Sequence, residues 1–135
     1  MSLSLKHVDA ITLFVDDLAA AKSFYLTVFD APVAFEDEDS VAFHFEHTII
    51  NLLKESEAHS LIEPGVVAGR EAGARLQFTV GVDDVDAVVD ELERLGVTLL
   101  NGPIDREWGV RTASFADPGG HIWEVAQDLP PPGSA

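Results

Sequence analysis

The stretch from Asp117 to Gln127, DPGGHIWEVAQ, decides how this chain is read. Asp117-Pro118-Gly119-Gly120 is a turn signal, because proline presets φ and glycine supplies positive φ. Ile122, Trp123 and Val125 then predict a strand rich in β-branched and aromatic residues. Glu124 sits in the middle of that strand. A carboxylate there is costly to bury unless it is paired or ligated. Taken alone, Glu124 reads as a solvent-facing residue of a half-exposed strand.

Working outward, the stretch has a counterpart in the first half. His121 to Ala126 (HIWEVA) aligns with Thr48 to Leu53 (TIINLL), an offset of 73. Val15-Asp16-Asp17-Leu18 matches Val82-Asp83-Asp84-Val85, an offset of 67. The difference of six implies a longer turn in the second half. Internal duplication fixes architecture before any other signal does.

The elements repeat in the same order. In the first half, Val8 to Val15 predicts a strand, and Asp16-Asp17 caps a helix over residues 17–29. Leu18, Ala21, Phe24, Tyr25 and Val28 form its apolar face. Strands follow over Val33 to Glu36, Val41 to Glu46 and Thr48 to Lys54. In the second half, Arg75 to Val82 predicts a strand and Asp83-Asp84 caps a helix ended by Gly96. Strands are expected over Val97 to Leu100, Gly109 to Phe115 and His121 to Ala126. Each half is thus a β-α-β-β-β module, residues 7–54 and 74–128. Residues 55–73 show no sustained periodicity and read as a linker, and Leu129 to Ala135 (LPPPGSA) reads as a disordered tail.

At 135 residues the chain is long enough for one domain with a real core. It has no cysteine, which excludes disulfides, thiolate–metal sites and cysteine nucleophiles. The first ten residues lack the apolar run of a signal peptide, and no stretch reads as a membrane span, so a cytoplasmic protein is expected. A net charge of −16 repels nucleic acid and anionic membrane surfaces, so neither is an expected partner.

The stretches ITLFVDDLAAAKSFYLTVF (11–29) and SFADPGGHIWEVAQ (114–127) resemble the vicinal oxygen chelate superfamily. That group includes glyoxalase I, extradiol dioxygenases, and bleomycin- and fosfomycin-resistance proteins. The resemblance implies an α+β fold in which two β-α-β-β-β modules form an open, U-shaped mixed-sheet barrel. It also implies a divalent metal held by the first and last strands of each module, and a homodimeric assembly.

The ligand positions implied by the resemblance fall on Ala10, Asn51, Gln77 and Glu124. Ala10 has no ligand atom, and Asn51 and Gln77 offer only neutral amides, which are poor partners for Zn, Ni or Fe. The histidines do not restore the set. His7 and His121 have the wrong strand parity, His47 lies four residues from Asn51, and His59 is in the linker. The usual transition metal is therefore expected to be lost and no other cofactor is expected, the amide oxygens suiting only a hard divalent cation in an oxygen-rich cage.

What remains is a polar cluster of Asn51, Gln77 and Glu124, with Thr12 and Thr79 on the same faces. A few convergent polar groups in an apolar cup define a small-molecule site. The plainer reading is that these groups bond one another and stiffen the barrel. Beyond Asn101-Gly102-Pro103, read as a turn, Arg106, Trp108 and Arg111 place two arginines beside a tryptophan. Arg106 reads as a turn residue paired with local acids. Arg111, in parity with Ala113 and Phe115, reads as a pocket or buried-pair residue, and Trp108 and Arg111 join the expected ligand site.

Three functions follow. The first is a metal-independent protein binding a small organic molecule, similar to bleomycin-resistance proteins. The second is a lyase or isomerase with Glu124 as general base. The third is a metal-dependent enzyme of the glyoxalase or dioxygenase type, against which the missing ligands count.

Overall fold

The computed structural model describes residues 3–131. It divides into two compact units, Met1–Gly73 and Ala74–Ala135.

The first unit contains β1 (Ala10–Val15), α1 (Leu18–Val28), β2 (Val33–Glu36), β3 (Ser40–His44), β4 (Ile49–Lys54) and α2 (Glu55–Ile62), followed by a short 3-10 turn at Arg70–Ala72. The second contains β5 (Gln77–Gly81), α3 (Val85–Arg94), β6 (Leu99–Asp105), β7 (Val110–Ala116) and β8 (Ile122–Asp128). The strand order is β1-β4-β3-β2 in one sheet and β5-β8-β7-β6 in the other. In each, the first strand lies parallel to the last and the other pairs are antiparallel. These are two open, mixed four-stranded sheets of an α+β fold.

The repeat extends to hydrogen-bond register. Thr12 pairs with Asn51 across the β1–β4 ladder, and Thr79 pairs with Glu124 across β5–β8. The offsets of 67 and 73 carry the first pair onto the second. The helix starts repeat as well. Asp17 accepts from the Ala20 amide at 3.0 Å and Asp84 from the Ala87 amide at 3.1 Å. Each satisfies one of the donors that a helix start leaves orphaned.

One face of each sheet is closed by its helix. In the first unit Leu13, Val15, Val41, Phe43, Ile50 and Leu52 are buried, as are Ala21 and Tyr25 of α1. Tyr25 stacks on Phe43 with ring centroids 5.7 Å apart. In the second, Ala113, Phe115, Trp123 and Val125 are buried together with Val85, Val89 and Leu92 of α3. Burying each large apolar side chain contributes about 1.5–3 kcal/mol, so the helix side is where each unit gains its cohesion.

Two expectations are corrected. Residues 55–73 are not featureless. Helix α2 follows β4 directly, with Glu55 and Glu57 in its first turn, charges that suit the helix dipole. Its Ala58 is fully buried, and Arg70 pairs with Asp16 at 3.1 Å, so the segment is part of the first unit. The signal is short: one buried alanine, followed four residues later by the half-buried Ile62.

Asn101-Gly102-Pro103 does not reverse the chain but lies inside β6. The β6–β7 register slips between Leu99 and Asn101 and again between Asn101 and Ile104, so the strand bulges there. Gly102 has φ +94, and a Cβ on it would sit 2.5 Å from the Thr112 carbonyl oxygen. The reversal comes later, where the Arg106 amide bonds the Val110 carbonyl and the Gly109 amide bonds that of Arg106.

The tail is tied down at its start, since the Leu129 amide bonds the Gly109 carbonyl at 2.9 Å. Residues 132–135 lie outside the described residues.

The bulged arm explains the six extra residues of the second half. Phe35 pairs with Ala42 in the first sheet, a span of 7 residues (42 − 35). Asn101 pairs with Ser114 in the second, a span of 13 residues (114 − 101). The insertion carries Arg106 and Trp108.

Candidate functional site

Alternation along the strands assigns each side chain to a face. In the second sheet, the face opposite α3 carries Gln77 and Thr79 from β5, Ile122 and Glu124 from β8, and Thr112 and Ser114 from β7. Asn101 of β6 pairs with Ser114 and joins the same face. This face mixes those polar groups with Ile104, Val110, Ala116 and Ala126, while the α3 side holds the buried Ala113, Phe115, Trp123 and Val125.

Glu124 is half-buried and hydrogen-bonded. The Thr79 hydroxyl donates to Glu124 Oε1 at 3.0 Å. Gln77 is one pleat repeat along β5 from Thr79, so it lies diagonally from Glu124 on the same face. Gln77 and Glu124 thus share one face of the second sheet. In the first unit Asn51 occupies the matching place, and its side-chain nitrogen donates to Thr12 Oγ1 at 3.4 Å. Ala10 lies two residues before Thr12 on that face and supplies a methyl group only.

Arg111 is elsewhere. It pairs in register with Gln127, in phase with the buried Trp123 and Val125, and therefore projects on the α3 side. Its guanidinium donates to Asp105 at 2.9 Å and to Asp86 of α3 at 3.0 Å. These bonds, that to Asp105 foremost and that to Asp86 next, hold its pKa above the ordinary arginine value. Its parity with Ala113 and Phe115 is as expected, but the face they share is the one α3 covers. Of the two roles expected for Arg111, the structure shows the ion pair, on the side away from Glu124. Trp108 stands at the tip of the β6–β7 turn, 72 % exposed.

Arg106, by contrast, reaches the Glu124 face. Its Nε donates to Thr112 Oγ1 at 3.0 Å and its Nη2 to Asn101 Oδ1 at 3.4 Å. Its guanidinium carbon lies 5.9 Å from the Trp108 ring centroid, a cation–π distance. No carboxylate pairs with it among the described residues. Sequence reasoning pairs Arg106 with local acids, and the structure does not. Only its position within the six-residue insertion sets it apart in the sequence.

The side chains at these positions do not fit a transition metal in either unit. The first offers a methyl group and a neutral amide, the second a neutral amide and a carboxylate already engaged by a hydroxyl. Among the described residues, no three His, Asp or Glu side chains cluster as a metal site would require. His121 instead meets Asp117, whose carboxylate lies 3.0 Å from Nδ1 and accepts the His121 amide at 2.8 Å. That contact clamps the turn entering β8. His7 meets Asp9 at 3.0 Å, exposed.

A β-α-β-β-β unit repeated with matching strand order and register is the plan of the glyoxalase-like class. The chain belongs to the Glyoxalase/Bleomycin resistance protein/Dioxygenase superfamily, whose family model matches residues 5–125. It is 26 % identical to an uncharacterized protein of Mycobacterium bovis, over 96 % of this chain and 88 % of that one. An uncharacterized protein of Mycobacterium tuberculosis is equally similar, with 79 % of its length covered. Among solved structures, a glyoxalase/bleomycin resistance protein/dioxygenase from Nocardioides matches with a TM-score of 0.87 at 21 % identity, covering 99 % of this chain and 92 % of that one. A lactoylglutathione lyase from Agrobacterium tumefaciens matches with a TM-score of 0.74 at 22 % identity, covering 90 % and 93 %. At such identities the likeness is one of fold. No described helix is long and apolar enough to cross a membrane.

Proposed function

We propose that this chain binds a small organic molecule at the open face of the second sheet, which carries Gln77 and Glu124, without the divalent metal usual in its superfamily; Asn51 holds the matching place on the first sheet. The observation that carries the reading is the donor set. At the family's ligand positions stand Ala10, Asn51, Gln77 and a Glu124 held by Thr79. Amides and a hydrogen-bonded carboxylate are recognition groups for an organic ligand, supplying both donors and acceptors. Two measurements test this. Elemental analysis of protein purified without a nickel column should find no stoichiometric Zn, Ni or Fe. Glu124→Gln should lose ligand uptake from a metabolite pool while remaining folded. About one such ion per chain, released by Glu124→Ala, would overturn the reading.

A second reading, a lyase or isomerase with Glu124 as general base, is favoured by one feature. Thr79 engages a single carboxylate oxygen and so orients the group while the other stays available to a substrate proton. Proton exchange from a bound carbon acid, lost in Glu124→Gln, would distinguish catalysis from binding alone. The homodimer implied by the family habit belongs to the same proposal, and light scattering at micromolar concentration tests it.

A further inference from the structure

Arg106, on the Glu124 face, is held only by neutral partners in a chain whose net charge is −16. Of the four other arginines three find carboxylates, and the fourth, Arg75, is exposed before β5 with neither carboxylate nor sheet anchor. Arg70 pairs with Asp16, Arg94 with Glu91, and Arg111 with both Asp86 and Asp105. Arg106 instead receives a hydroxyl and an amide oxygen. These acceptors fix the orientation of the guanidinium without neutralising it. Thr112, which accepts from Nε, is fully buried, so the anchor is part of the sheet and not a loose surface contact. A charged fork preorganised in this way, with an indole at its side, matches what recognition of a planar anion requires.

We propose that the open face of the second sheet is built for small organic acids. The ligand's carboxylate would sit on Arg106, its body beside Trp108, and a hydroxyl or amine at its far end would donate to Glu124. This rests on the binding function proposed above and names the ligand class. The geometry sets the size. Thr112 lies one pleat repeat from Ser114 on β7, and Glu124 lies directly across from Ser114. Strand spacings then put the Cα atoms of Thr112 and Glu124 roughly 8 Å apart, the span of a single ring or a short chain. Arg106 and Trp108 lie in the insertion that distinguishes the second module from the first, so this acid-binding end has no counterpart in the first sheet.

The experiment uses three probes of one shape: 4-hydroxybenzoate, its neutral amide 4-hydroxybenzamide, and the cation 4-hydroxybenzylammonium. Binding is followed by amide chemical-shift changes in the full chain, for the native protein, Arg106→Gln, Arg106→Lys and Glu124→Gln. The acid is expected to shift Thr79, Thr112, Ser114 and Glu124 saturably and to bind about tenfold or more tighter than the amide, as expected for loss of a charge-assisted contact. Arg106→Gln should erase that preference and Arg106→Lys should restore part of it, which separates charge from packing. If the amide or the cation binds this face as well as the acid does, in a manner sensitive to Glu124→Gln but not to Arg106→Gln, the acid specificity falls and the binding function stands. If none of the three shifts these residues, both fall.

Discussion

The Thr79 hydroxyl donates to the Glu124 carboxylate at 3.0 Å, joining residues 45 positions apart across the parallel β5–β8 ladder. Thr12 and Asn51 make the equivalent contact in the first unit, with a neutral amide where the second has a charge. The pair stands on an open face, so its bond exchanges with water and contributes little to folding. Thr79→Val is expected to change the unfolding free energy by less than ~1 kcal/mol in urea denaturation, yet to weaken ligand binding by releasing the Glu124 rotamer. A larger stability loss with binding unchanged would make the pair a structural clamp.

Acid sensitivity should trace in part to Asp37. Its carboxylate accepts the amides of Asp39 and Ser40, each at 2.9 Å, and the Ser40 hydroxyl at 3.1 Å. The Asp39 amide does most to lower its pKa below the ordinary value of 3.8, Ser40 and Lys54 add to this, and desolvation opposes it. With the folded-state pKa depressed, the unfolded state binds the proton more readily. The stabilisation is therefore present above 3.8 and is lost as pH falls through the lower folded value. Asp37→Asn should flatten the acid limb of stability against pH and leave its slope near neutrality unchanged. Parallel acid limbs in the two proteins would count against the assignment.

Gly102→Ala is expected to destabilise the second unit by roughly 2–5 kcal/mol. The added Cβ would meet the Thr112 carbonyl oxygen at 2.5 Å and the Ala113 Cα at 2.6 Å, both backbone atoms with no rotamer to yield. The backbone there has φ +94, which alanine adopts only with strain. Thermal denaturation measures it. A melting temperature within a degree of the native value would mean that the bulge relaxes.

Arg111→Gln should lower the melting temperature, more at low salt than at high, and leave ligand binding unaltered. Its partners Asp86 and Asp105 are largely exposed, so their attraction to it is screened. Melting curves at two ionic strengths, alongside the binding assay, check both halves. Loss of ligand binding would return Arg111 to the site.

Much of this protein is legible in its amino-acid order. The Val-Asp-Asp repeat locates both helix starts, because the short carboxylate that caps a helix must come just before its first apolar residue. The alternation of Leu13 and Val15, and of Trp123 and Val125, tells which side chains share a face, since a strand has period two. Helix α2 escapes such reading because eight residues anchored by one buried alanine leave almost no periodic signal.

The amino-acid order carries the duplicated β-α-β-β-β plan and the two offsets, which put Ala10 and Asn51 at places matching Gln77 and Glu124. Tertiary structure alone decided which of Arg106 and Arg111 reaches the Glu124 face. Parity groups Arg111 correctly with Ala113 and Phe115, but nothing local says which side of a strand its helix will cover. Arg106 sits beyond two register slips in β6, and each extra residue turns the following side chains to the opposite face. Parity cannot be counted through such a bulge. Its outcome is set by where the backbone of Gly102 comes to rest against Thr112 and Ala113, a contact between segments ten residues apart that only the folded sheet brings together.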